Sequence, residues 1–172
     1  MTLYDLAVPT FLQMLKGLSV QLDKGLDLAK AEGDDLETLL AARLAPDMFP
    51  LSAQVRYTCY QATDAVAKLT GLTGPGRPEG DAPEALKAHI AAAVAFVNSA
   101  PAAAFDGAAE RTITLTLPGD LVFEMTGLEF LRDWALPQFY FHAVTAYDIL
   151  RHKGVALGKR DFVAHALAYL KA

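Results

Sequence analysis

With a single cysteine, Cys59, the chain cannot form an internal disulfide. It also lacks any run of about 18 uncharged apolar residues, so no segment of it is suited to cross a bilayer. Basic residues are scattered, with no run longer than Lys159-Arg160, and the net charge is −5. That leaves no electrostatic footprint for nucleic acid or for an anionic lipid surface. The opening Met1-Thr2-Leu3-Tyr4-Asp5 carries neither the basic nor the apolar region of a secretory signal. A lone cysteine, and its place within a helical pattern, both favour a reducing cytoplasm. Catalytic signatures are missing as well. No Gly-x-Ser-x-Gly turn occurs, and the glycines at 71, 74, 76 and 80 alternate with prolines after a helix instead of forming a phosphate loop after a strand.

What is abundant is alanine, in segments such as Ala91-Ala92-Ala93 and Ala102-Ala103-Ala104, whereas isoleucine occurs only at Ile90, Ile113 and Ile149. Alanine is the strongest helix former and isoleucine a strand former, so helix is the expectation. A chain of 172 residues suits one domain, 1–172, and its size removes about 70% of the unfolded surface from water without disulfides or metal.

Apolar residues at Phe11, Leu15, Leu18, Leu22, Leu26 and Ala29 step by three and four, predicting a first helix over 3–31. Pro9 must either start that helix or kink its first turns. A helical turn is expected over 36–44 after Asp34-Asp35. Asp47 is expected to cap a second helix, with Pro50 in its first turn and Gly71 at its end. The run 73–80 reads as a linker, and Asp81, Pro83 and Glu84 as the start of a third helix that ends before Pro101. Residues 111–117 alternate strictly between Thr112, Thr114, Thr116 and Ile113, Leu115, Leu117. With the turn Pro118-Gly119-Asp120 and the renewed alternation Leu121, Phe123, Met125, this predicts a hairpin whose apolar face lies on the bundle. Thr126 and Glu129 form a capping box for a helix that Pro137 should interrupt, the continuation ending at Gly154. A last short helix is expected over 159–170. The fold class that follows is all-α: a four-helix bundle with an extra C-terminal helix and one short β-hairpin.

Four histidines are the main candidate metal ligands. His89 and His165 lack a ligand partner at helical spacing, and His142 and His152 stand about 80° apart around a helix axis. All four therefore read first as surface, boundary or core residues. Gln138, His142, Thr145 and Ile149 share one stripe, and Gln54, Thr58 and Gln61 share another. Two such stripes can face each other across a pocket, or both can face water. Gln54 and His142 are taken as the candidate ligand-binding pair. Cys59, with only Arg56 near it in sequence, reads as a core thiol.

Several ordered segments carry a resemblance: Val8-Pro9-Thr10-Phe11-Leu12, Arg43-Leu44-Ala45-Pro46-Asp47-Met48-Phe49-Pro50-Leu51, Gln54-Val55, Leu136-Pro137-Gln138-Phe139-Tyr140-Phe141-His142, Thr145-Ala146-Tyr147-Asp148-Ile149-Leu150-Arg151-His152-Lys153-Gly154-Val155 and Gly158-Lys159-Arg160-Asp161-Phe162. Along essentially its full length the chain resembles the bacterial domain-of-unknown-function family numbered nineteen ninety-three, in the DinB/YfiT-like superfamily. That resemblance implies a four-helix bundle with a long crossover, supplied by the linker at 73–80. It also implies a comparison with DinB-like metalloproteins, some of them thiol-dependent transferases or hydrolases, which hold a metal on three histidines. Carried over, the second-helix ligand falls near Gln54 and a His-x-x-x-His pair near His142 and Ala146, so only His142 survives. The expectation is a small-ligand-binding bundle with no metal and no cofactor; the alternative is a metal-dependent DinB-like transferase or hydrolase with replacement ligands. A homodimer is also expected, because Phe139, Tyr140 and Phe141 cannot all point into one core and the superfamily often dimerises.

Overall fold

The first helix begins at its capping box. Thr2 accepts from the Asp5 backbone N–H, the Asp5 carboxylate accepts from the Thr2 N–H, and α1 runs over Leu3–Glu32. Pro9 therefore lies inside α1, on its exposed side, and does not start it. The computed structural model describes residues 1–171. After α1, Asp35 caps the short α2, Leu36–Leu40. The third helix, α3, spans Leu51–Thr70, and α4 spans Pro83–Ser99.

Two expected caps differ from what is observed. Pro50 and Ala82 hold the N-cap positions of α3 and α4, and neither has a side-chain cap bond. Asp47 lies in the preceding turn, outside the helix, because the chain bends once more before it can become helical. Asp81 is drawn instead to Arg56 Nε at 2.8 Å, an ion pair that ties the 71–82 connection back onto α3.

Strands β1 (Thr112–Leu117) and β2 (Leu121–Thr126) pair antiparallel, with Ile113 opposite Met125 and Leu115 opposite Phe123. Gly119 and Asp120 both adopt positive φ, at 82° and 57°, which reverses the chain between them. The expected burial holds for only part of the hairpin. Ile113 and Leu115 are buried, but Leu121 is 57% and Phe123 40% exposed, so the tip projects beyond the bundle. Arg111, just before β1, donates to the Leu69 carbonyl at 2.7 Å and satisfies one open carbonyl at the end of α3.

Thr126 and Glu129 form the expected reciprocal box at α5, Gly127–Glu129. Pro137 does not interrupt the rod that follows. A wide π-turn segment, Phe130–Ala135, leads directly into α6, Leu136–His152, so the proline sits in the first turn of α6. The wider turn relaxes the ladder where proline supplies no N–H. Two short pieces close the chain where one helix was expected: α7, Lys159–Phe162, and a 3₁₀ segment, Ala164–Tyr169.

The bundle consists of α1, α3, α4 and α6. Both α1 and α3 pack against α4 and α6, so α1 and α3 lie diagonally opposite. Phe11 and Phe139 meet edge to face at 4.9 Å in the core, both fully buried. No helix among the described residues is long and apolar enough to cross a membrane.

Candidate functional site

The two candidate residues meet, although 88 positions separate them. Their position follows from the packing of α3 on α6: Gln54 is in the first turn of α3, and His142 is in the second turn of α6. Gln54 Nε2 donates to the Phe49 carbonyl at 3.1 Å. A carbonyl can only accept, so this bond orients the amide and turns Oε1 toward His142. His142 Nδ1 lies 2.8 Å from that oxygen and must be the donor. The proton of the neutral ring is thereby assigned to Nδ1, and Nε2 carries a free lone pair. Nε2 has no hydrogen-bond partner among the described residues and is not sealed from solvent.

Burial pushes the His142 imidazole down to about 4 from an ordinary 6.5, because the site disfavours its charged form. The ring is neutral at neutral pH. Tyr57 stacks on it at 5.1 Å, with 18° between the planes, and Phe49 stacks on Tyr57 at 5.0 Å and 19°. Phe141 meets the ring edge to face at 5.3 Å. Two further residues of the stripes bond within their own helices: Thr58 donates to the Gln54 carbonyl and Thr145 to that of Phe141. The two polar stripes thus touch directly at Gln54 and His142.

Sequence reasoning missed the aromatic part of this arrangement. Tyr57 lies three residues past Gln54 and therefore on the neighbouring part of the same helix face. That spacing was the available signal. The stacking of Phe49, which precedes α3, had none.

Residues 3–163 match the domain of unknown function DUF1993. The chain belongs to that family. It is also similar to the crystal structure of a DinB family member protein from Shewanella denitrificans, at 39% identity and a TM-score of 0.85. That similarity covers 94% of this chain and 91% of the other. No curated protein matches the chain.

The three-histidine metal site implied for DinB-like relatives does not fit the residues of this DUF1993 chain. Gln54 stands at the second-helix position, and its one acceptor oxygen already receives the His142 proton. Ala146, fully buried, brings no donor atom. His152 is exposed at the end of α6, ten residues from His142. Among the described residues no group of three His, Cys, Asp or Glu side chains is placed to hold an ion. His89 is half-buried and bonds to the Glu79 carbonyl at 2.7 Å, while His165 belongs to the C-terminal 3₁₀ segment. Cys59 is buried, and burial pushes its thiol up to about 12, which leaves almost no thiolate to act as nucleophile or ligand.

Proposed function

We propose that this DUF1993 protein is a small-ligand-binding helical bundle of the cytoplasm, working without a metal centre, with Gln54 and His142 at its binding face. The observation that supports this reading is the free Nε2 of His142. A neutral imidazole, oriented by an amide and braced by Tyr57 and Phe141, offers one acceptor at an edge that water reaches. Its ligand must bring a hydrogen-bond donor, and the aromatic surroundings favour a partly apolar molecule. An oriented buried polar pair also specifies how α3 and α6 register, and that role needs no ligand. The two roles are separable by experiment.

A thermal-shift screen of metabolites against the wild type and a Gln54→Leu/His142→Leu double variant tests the reading. A compound that stabilises only the wild type, and that moves the His142 ring resonances, is the expected result. Equal stabilisation of both proteins by every hit would remove the site. Metal analysis after purification without chelator addresses the other half. About one equivalent of a transition metal, lost in His142→Ala, would overturn the metal-free assignment.

The same reading takes the chain as a homodimer. Phe141 and Val144 are 58% and 40% exposed one turn apart on α6, and Phe49 is 51% exposed. A second subunit covering them would remove an apolar surface that otherwise faces water.

A further inference from the structure

We propose a second binding site, for a small, singly charged organic carboxylate, in the cleft between α3 and the 71–82 connection, with Arg77 as the receiving group. The cleft has a volume of about 190 Å³ and is lined by Arg56, Tyr57, Tyr60, Arg77, Pro78 and Glu79. At about 30 Å³ per water it holds roughly six waters, the space of a planar ring with one acid group and well short of a large cofactor.

The two guanidinium groups in it play different parts. Arg56 is committed to structure: Nε donates to Asp81 at 2.8 Å and Nη1 to the Pro78 carbonyl at 3.3 Å, which fixes the connection as one wall. Arg77 forms none of the ion pairs found among the described residues. Its Cζ lies 5.0 Å from the Tyr60 ring centroid. The ring face holds a guanidinium in place but does not cancel its charge or match its planar fork of donors. The nearby acid on α3 is committed elsewhere, since Asp64 accepts from the Tyr60 hydroxyl at 3.3 Å and pairs with Lys68 at 3.2 Å. A hydrogen bond toward the Tyr60 side chain is the first cause that pushes the Arg77 guanidinium up, and a carboxylate is the group that fits the donors this leaves free, through charge-assisted bonds.

Glu79 sets the valence. Glu79 lines the same cleft and forms none of the ion pairs found among the described residues, while its backbone carbonyl is held by His89. A negative group there tolerates a monoanion held at Arg77 but opposes a dianion such as phosphate. This site goes beyond the reading of His142 and does not depend on it.

Benzoate and inorganic phosphate, titrated separately into the ¹⁵N-labelled full chain and followed by NMR, test the proposal. Benzoate should cause saturable shifts at residues 56–60 and 76–79, and phosphate should bind more weakly. Arg77→Gln should weaken benzoate about 10-fold or more, the usual effect of removing the charged partner of such a bond. Glu79→Gln should tighten it about threefold, as expected for relief of an exposed repulsion. Both residues are exposed on the connection, so both variants should fold, which circular dichroism would check. Shifts that do not saturate, benzoate affinity unchanged by Arg77→Gln or weakened by Glu79→Gln, or phosphate binding tighter than benzoate would each overturn the site.

Discussion

Acid should destabilise this protein through one imidazole. Burial holds His142 at about 4 in the fold against 6.5 when unfolded, so between those values the unfolded chain binds a proton that the folded chain refuses. The contribution of the neutral ring is full above pH 6.5 and is lost progressively as pH falls toward 4. The whole shift corresponds to about 3 kcal/mol at most, at 1.36 kcal/mol per unit. Because Nε2 meets water, solvent screening reduces this, and about 1.5 kcal/mol is expected. Urea unfolding at about pH 7.5 and pH 5 measures it, with the Gln54→Leu/His142→Leu variant as reference. Replacing both partners removes the titrating group without stranding the other in the core. Asp5, Glu129, Asp133 and Asp161, held below the usual carboxylate range by their hydrogen bonds, are present in both proteins and cancel in the comparison. Parallel pH dependence in the two proteins, or an NMR titration placing His142 near 6.5, would refute the reasoning.

Gly127→Ala should destabilise by about 3 kcal/mol, since a Cβ there would stand 1.9 Å from the Ala108 carbonyl oxygen, a backbone atom with little room to move; a loss under about 1 kcal/mol in urea unfolding would mean the two segments separate easily. Phe139→Ala should cost about 3–5 kcal/mol by emptying a fully buried site against Phe11, measured in the same assay. Thr126→Ala removes both hydroxyl contacts of the α5 capping box and should cost about 1 kcal/mol, with no change if the box is idle. Light scattering at micromolar concentration should give twice the chain mass, and a clean species of 18.5 kDa would end the homodimer assignment.

The sequence by itself determined whatever depends on short-range periodicity. The stripes from Phe11 to Ala29 and from Leu51 to Leu69 required helices, and the strict alternation after Arg111 required a strand. The Thr126–Glu129 box announced its own helix start. The absence of a histidine at positions 54 and 146 likewise needed no coordinates to argue against a three-histidine centre. Tertiary structure decided whatever depends on partners remote in sequence. Asp81 has the chemistry of a cap, but the charge of Arg56, 25 residues away, claims it. Pro137 reads as a break, yet a π turn ahead of it keeps the rod continuous because the core holds both sides. The hairpin's alternation implies one buried face, while its tip reaches past the bundle that would cover it. Gln54 could be recognised as polar on a helix stripe, but only the packing of α3 on α6 put its oxygen on His142 and so assigned the imidazole proton. A hydrogen bond needs its partners within about 3 Å, and a local pattern does not specify which distant atom will arrive there.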